Sequence, residues 1–267
     1  MLQYSFMQNA LIAGLFISVL CPLVGVFLVL KRHSMMGDAL SHASFAGVAI
    51  GLVSGFNPIL TAFLFTSASG LLIEYLRSYY KKYAELILVI VMTLSVGIAI
   101  TLISMGRANA NVNAYLFGSI LTVTRQDLMT VLALSIVSVF MVSILYNQLI
   151  YITLDEDGAK IAGIRVKLIN YLFALLVGAT ISVSLRIMGL LVVSSMIAMP
   201  VAAAMQLNKG FRKTLIYSIV FGFVDIMAGL VISYYINSAP GGTIALTSVA
   251  LLILVMALMR IRTRSLP

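Results

Sequence analysis

Asp38 and His42 are the two residues of this sequence whose types and spacing best suit metal chemistry. They stand four residues apart in MMGDALSHASFAGVAIG. In an α-helix, side chains at positions i and i+4 project from one face, one turn apart. A carboxylate oxygen and an imidazole nitrogen so placed can share one divalent cation such as Zn²⁺ or Mn²⁺. The alternative is an Asp–His hydrogen bond near a helix start, and the spacing alone leaves both interpretations open.

Two further residues inside apolar segments are candidates for a transport pathway. Asp225 lies near the middle of its segment, in FGFVDIMAGL. A carboxylate at bilayer depth costs several kcal/mol unless it is paired or faces water. Asp225 therefore either belongs to a pathway or hydrogen-bonds a neighbouring helix. Pro200, in VVSSMIAMPVAAA, is expected to kink or interrupt its helix. By contrast, His33 stands beside two basic residues and is expected to be solvated.

The chain that carries these residues is too apolar for a soluble globular protein. Of its 267 residues, 62% are hydrophobic and 9% are charged, against roughly 45–50% and about 25% in soluble domains. It contains no GK dipeptide of a phosphate-binding P-loop and no HExxH, CxxC or GxSxG motif. The composition and the missing motifs favour a transport protein over an enzyme.

Apolar runs divide the chain into nine candidate membrane spans, each close to the ~20 residues that a spanning helix needs. The nine segments are 6–30, 39–56, 59–76, 86–105, 128–149, 168–185, 189–207, 215–236 and 244–259. A shorter run, 114–121, is expected to form a half-helix or an interfacial turn. The predicted fold is one all-α polytopic bundle over 1–267, with eight or ten spans possible if a helix is broken.

The basic residues predict how the bundle is oriented. Fourteen of the seventeen lysines and arginines fall on one side of the nine spans, and Arg107, Arg125 and Arg186 fall on the other. Loops rich in Lys and Arg stay in the cytoplasm. We therefore expect the N-terminus outside and the C-terminus in the cytoplasm. The net charge of +9 reflects this orientation rather than binding of nucleic acid.

The longest connection on the basic side, 153–167, has the sequence TLDEDGAKIAGIRVK. Acidic residues at its start and basic residues toward its end complement the dipole of a short surface helix. Apolar residues lie between them. The pattern is typical of either a solvated linker or an element that docks a partner protein.

Four segments of the chain, taken together, resemble the metal-type ABC permeases, the membrane subunits of bacterial zinc and manganese importers. They are LVLKRHSMMGDALSHASFAGVAIGL, LDEDGAKIAGIRV, MGLLVVSSMIAMPVAAAM and GGTIALTSVALLILV. The resemblance implies that Asp38 and His42 coordinate the transported metal. It also implies that the second segment couples to an ATPase. The residues expected to take part in this coupling are Asp155, Glu156, Asp157, Ala159, Ala162 and Gly163.

The same resemblance implies the partners. Members of this family work as two permease copies with two cytoplasmic ATP-binding subunits, fed by an extracellular metal-binding lipoprotein, in the plasma membrane of a bacterium. No permanently bound cofactor is expected, and the cargo is Zn²⁺ or Mn²⁺. The segments EYLRSYYKKY and YLFGSILT look closer to zinc permeases of Gram-positive bacteria. The rival interpretations are a proton-coupled transporter that uses Asp38 and Asp225 as proton sites, and a membrane scaffold that conducts nothing.

Overall fold

The computed structural model describes residues 5–105, 112–119 and 123–264, and this part of the chain is a bundle of α-helices without a strand. The helices are α1 (Ser5–Leu30), α2 (Ser34–Ser54), α3 (Pro58–Tyr79), α4 (Ala84–Ser104), α5 (Val112–Phe117), α6 (Arg125–Leu154), α7 (Glu156–Ile161), α8 (Val166–Met188), α9 (Leu190–Met205), α10 (Phe211–Ile236) and α11 (Pro240–Arg264). A single 3₁₀ turn, Lys81–Tyr83, joins α3 to α4. The all-α prediction is confirmed.

Eight of these helices are long and apolar enough to cross a membrane, and α9 is the shorter one. With 16 residues, α9 is about 24 Å long, less than the ~30 Å hydrocarbon core. The nine predicted segments therefore correspond to eight spans and one short apolar helix. The predicted segment 189–207 is longer than α9 because the helix begins only after Gly189 and ends at Met205, before a turn at residues 206–207. A count of apolar residues does not locate the end of the helix so closely.

Of the two outcomes expected at Pro200, a kink or an interruption of the helix, the interruption does not occur, and the kink remains a prediction. Pro200 is buried, and α9 continues from Leu190 to Met205 through it. The chain breaks instead at Gly189, where other glycines allow close packing. A Cβ on Gly241 would collide with the carbonyl oxygen of Met188, and one on Gly118 would collide with that of Ile187. The short helix α5 lies at this junction and overlaps the predicted half-helix 114–121, of which residues 120 and 121 lie outside the described part.

Small residues bring α2 close to α3. A Cβ on Gly47 would lie 2.6 Å from the Cα of Ala62, and one on Gly51 would overlap the Thr61 hydroxyl. Gly25 of α1 likewise lies against the backbone carbonyl of Ile197 in α9. These glycines let α2 pack closely on α3, and α1 on α9.

Polar connections gather at two opposite ends of the bundle. At one end, His33 before α2, Arg77 of α3, Glu156 of α7 and Lys167 of α8 line one cavity of about 620 Å³. At the other end, Arg186 near the end of α8 pairs with Asp127 near the start of α6. The charge pattern predicted this grouping of loops. That the first end faces the cytoplasm remains a prediction.

Candidate metal site and coupling segment

Asp38 and His42 lie on one face of α2, one turn apart, as their spacing predicts. Helical rise places them about 6 Å and about 12 Å from Ser34, the first residue of the helix. Asp38 is exposed and His42 is half-buried. Neighbouring residues of α2, such as Met36 and Leu40, are buried in the core. The two candidate ligands therefore occupy the face of α2 that the rest of the chain covers least.

Neither candidate ligand has a partner among the described residues. The side chains of Asp38 and His42 make no hydrogen bond or ion pair within the ranges that the structure describes. The alternative of an Asp–His hydrogen bond is therefore not what the structure contains. The same ranges hold no cluster of three or more His, Cys, Asp or Glu residues suited to a metal. One chain thus offers two ligands, fewer than the four that a tetrahedral cation takes.

Asp225 and Pro200 lie among other helices. Asp225 is on α10, which packs mainly against α1, α9 and α11, whereas the main neighbours of α2 are α3, α4, α8 and α9. The Asp225 side chain is fully buried and faces Ser248 of α11. Neither its carboxylate oxygens nor the Ser248 hydroxyl reaches hydrogen-bond geometry with a described residue. Asp225 therefore stands apart from the Asp38 and His42 pair, as an isolated polar group inside the bundle.

The connection between α6 and α8 forms the short surface helix that the sequence predicted. Asp155 caps α7, and its carboxylate accepts a hydrogen bond of 2.9 Å from the backbone N–H of Gly158. Lys160 lies 3.0 Å from Glu156 and 2.9 Å from Asp157. Hydrogen bonds to these two carboxylates raise the pKa of the Lys160 ammonium. The acidic start and the basic end of α7 stabilise the helix, and all three acids remain exposed.

The apolar surface of α7 differs from the expected one. We expected Ala159 and Ala162 to face a partner together, but Ala159 is fully buried against its own chain, whereas Ala162 and Gly163 are exposed. The exposed apolar residue is Ile161, at 89% exposure. Successive helical residues turn by about 100°, so Ile161 points away from the face that Ala159 buries. The sequence of α7 places apolar residues on two faces, one with Ala159 and one with Ile161. It does not show which of these faces the bundle covers.

His33 is half-buried and contacts Arg77 of α3, so the prediction that it is solvated is wrong. The Arg77 guanidinium places Nη1 3.1 Å from Nδ1 of His33 and Nη2 2.5 Å from Nε2. Burial, followed by the positive charges of Arg77 and Lys31, lowers the pKa of His33 to about 3. The imidazole is therefore neutral at physiological pH. Arg77 also lies 3.8 Å from Glu74, one turn earlier on the same helix.

Lys31, two residues before His33, extends this group of charges toward α8. Its ammonium donates a 3.1 Å hydrogen bond to Oδ1 of Asn170 and lies 5.1 Å from the centre of the Phe173 ring. Burial lowers the pKa of Lys31 to about 8, against the attraction of Glu74 and Glu156. Sequence reasoning missed this group because its members come from four separate parts of the chain.

Known proteins resemble this chain over nearly its whole length. The sequence profile of the ABC 3 transport family matches residues 3–259. A probable metal transport system membrane protein of Treponema pallidum is 49% identical over 261 residues, which cover 98% of each chain. A probable iron transport system membrane protein of Haemophilus influenzae is 28% identical, over 98% of this chain and 97% of that protein. A manganese transport system membrane protein of Listeria monocytogenes is 30% identical, over 93% and 89% respectively.

A solved structure gives the same result. The structure described as PsaBC from Streptococcus pneumoniae in complex with Fab superposes with a TM-score of 0.85 at 26% identity, covering 95% of this chain and 91% of that one. The eight apolar spans agree with a multi-pass bacterial membrane protein. The family supplies a transport component rather than an enzyme. This chain therefore belongs to the ABC 3 transport family, whose members are permease subunits of metal ABC transporters.

Proposed function

We propose that this chain is the permease subunit of an ATP-driven importer of a divalent transition metal, and that Asp38 and His42 bind the metal in transit. The observation that carries the proposal is the pair itself. A carboxylate and an imidazole share one face of α2, Asp38 is exposed, and neither side chain has a partner in the part of the chain that the structure describes. Polar groups left without a partner beside apolar helices are unfavourable unless a ligand or water completes their coordination.

The incomplete ligand set supports assembly with a second copy of the chain. Two copies that meet through the uncovered face of α2 would supply two carboxylates and two imidazoles, which completes a tetrahedral site. A site shared between copies also opens when the copies move apart, so it can release its ion. The homodimer is part of the proposal, together with two ATP-binding subunits and an extracellular metal-binding lipoprotein.

The cargo is proposed as Zn²⁺ or Mn²⁺. Two imidazole nitrogens and two carboxylates satisfy Zn²⁺ without further ligands, whereas Mn²⁺ prefers more oxygen ligands and would recruit water or bidentate carboxylates. The manganese and iron names of two relatives and the likeness of two segments to zinc permeases point in different directions. A competition assay between Zn²⁺, Mn²⁺ and Fe²⁺ for uptake distinguishes these cargoes.

The test is metal uptake by the permease reconstituted with its ATPase in liposomes. We expect Asp38→Ala and His42→Ala each to abolish ATP-dependent uptake while the permease still assembles with the ATPase. Met35→Ala is the matched control, since Met35 is an exposed residue near Asp38 on the same helix. Unchanged uptake of all three metals by either ligand variant would show that the metal binds elsewhere.

A further inference from the structure

We propose that Arg77 is a positioning residue for the metal site. It holds His33 at the start of α2 and so links the position of that helix to the coupling helix α7. This inference rests on the proposed function, since it assumes that Asp38 and His42 bind the cargo. It concerns how the pair is moved, and it assigns a role to side chains that do not touch the metal.

The start of α2 is held by a tertiary contact rather than by an ordinary helix cap. His33 occupies the N-cap position, yet its side chain makes no capping hydrogen bond to the helix. Its ring lies against Arg77, with the shorter contact at 2.5 Å. Only three residues separate α1 from α2, and the middle one, Arg32, has a left-handed φ of 58°. A connection so short and so conformationally restricted transmits a displacement of His33 directly to the first turn of α2.

The protonation state of His33 suits this contact. A neutral imidazole has one acceptor nitrogen and one donor nitrogen, so one guanidinium N–H donates to the ring while the other only lies beside it. The pKa of about 3 keeps the ring neutral at physiological pH. An imidazolium would offer no acceptor to Arg77 and would repel it. Burial of His33 therefore maintains a charge-assisted hydrogen bond between α3 and the start of α2.

The second half of the link reaches α7 across the cavity. Glu156 and Asp157 of α7 line the same 620 Å³ cavity as His33 and Arg77. Lys31 is attracted by Glu156 and is tied to α8 through Asn170. A cavity lies between α7 and Arg77, so α7 acts on this group of charges through the attraction of Glu156 for Lys31. A displacement of α7 changes the field of Glu156 at Lys31 and Arg77, and thereby changes how firmly His33 is held.

The experiment compares variants in the reconstituted complex of permease and ATPase, using Zn²⁺ and Mn²⁺ as cargo. Three quantities are measured: ATP hydrolysis, metal uptake and equilibrium metal binding. We expect Arg77→Gln and His33→Leu to keep ATP hydrolysis and metal affinity within a factor of two. Metal ions moved per ATP should fall about tenfold, which corresponds to loss of a charge-assisted hydrogen bond. His33→Gln should restore much of this ratio, because its amide oxygen still accepts from Arg77.

Lys82→Gln is the matched control, because Lys82 is an exposed basic residue in the turn between α3 and α4, five residues after Arg77, and should leave the ratio unchanged. Arg77 acts only as a structural residue if Arg77→Gln lowers assembly, hydrolysis and uptake in parallel, and that result would overturn the inference. A normal ratio in both Arg77→Gln and His33→Leu, with uptake still abolished by Asp38→Ala, would overturn it while leaving the proposed function intact. Absence of ATP-dependent uptake by the unmodified complex would overturn both.

Discussion

Arg186 of α8 forms an ion pair with Asp127 of α6, with Nη2 3.2 Å from Oδ2, and its guanidinium lies 4.8 Å from the centre of the Tyr115 ring. The contact joins α5, α6 and α8 at the end of the bundle opposite α7. Asp127 also completes a capping box with Thr124, which fixes the start of α6. Both side chains of the ion pair are nearly buried, at 12% and 11% exposure.

Breaking this ion pair should destabilise the protein. Removal of one member leaves a nearly buried charge uncompensated, at a cost of about 3–5 kcal/mol. We expect Asp127→Asn or Arg186→Gln to lower the Tm of the detergent-solubilised protein by several degrees. Arg125→Gln, at an exposed position in the same first turn of α6, is the control and should leave the Tm unchanged. Equal Tm values for all these variants would show that the pair contributes no net stability.

The orientation of the bundle can be tested with single cysteines. Cys21 is buried and is first replaced by Ala. Lys209→Cys and Ser238→Cys then place exposed thiols in the loops before and after α10. Because of the charge distribution, position 209 should react only from the cytoplasmic side and position 238 only from outside. The reverse labelling pattern would show that the bundle has the opposite orientation in the membrane. Asn109 to Asn113 are also expected outside; residues 109–111 lie beyond the described ranges, and Ser238 tests the same side.

Ile161 should govern attachment to the ATPase. Its side chain is 89% exposed on a helix beside the basic end of the bundle, and an apolar residue so placed gains most from burial by a partner. Ile161→Asp should weaken co-purification of the ATPase and reduce metal uptake in proportion, whereas Ile161→Leu keeps the apolar surface and should behave normally. If Ile161→Asp still associates fully with the ATPase, α7 is only a linker between α6 and α8.

Ala159→Arg, by contrast, should act on the permease itself. Ala159 is fully buried against its own chain, so an arginine there forces an unpaired charge into the bundle. We expect this variant to show reduced Tm and reduced expression even without the ATPase. A loss of uptake in Ala159→Arg could therefore come from misfolding as well as from lost ATPase binding. Ile161→Asp is the better test of ATPase binding for this reason.

These results show which features local sequence patterns can predict. Span positions follow from apolar runs, and α7 follows from acids at its start and a lysine at its end, since both patterns are local. The contact of His33 with Arg77 joins residues 44 positions apart, and no periodicity indicates it. Similarly, the length of α9 depends on where the backbone turns, at Gly189 and after Met205. The Asp38 and His42 pair was found because i and i+4 spacing defines a helix face, whereas its lack of partners required the structure.

His33 should make the stability of the protein sensitive to acid. Its pKa is lowered to about 3 in the folded state, from an ordinary value of 6.5. Between these values the unfolded chain binds a proton that the folded chain does not, so stability falls as pH decreases from about 6.5 toward 3. We expect the Tm of the metal-free protein to fall between pH 7 and pH 5, and to fall less in His33→Gln. His42→Gln is the control, because His33 and His42 are the only histidines of the chain. An equal dependence of Tm on pH in the unmodified protein and both variants would contradict the assignment of the acid sensitivity to His33.

Metal uptake by the Asp225→Asn variant distinguishes the ATP-driven mechanism from the proton-coupled alternative. The Asp225 carboxylate is fully buried within α10, faces Ser248, and has no ion-pair partner among the described residues. In an ATP-driven permease whose metal binds at Asp38 and His42, this group has no ion to carry. Asp225→Asn keeps its shape and removes the charge that burial disfavours. We therefore expect unchanged ATP-dependent uptake and an equal or higher Tm.

A proton-coupled transporter would instead lose uptake in Asp225→Asn, and its uptake would follow an imposed pH gradient without the ATPase. Measuring both variants, Asp225→Asn and Asp38→Ala, in liposomes with ATP alone and with a pH gradient alone distinguishes the two mechanisms.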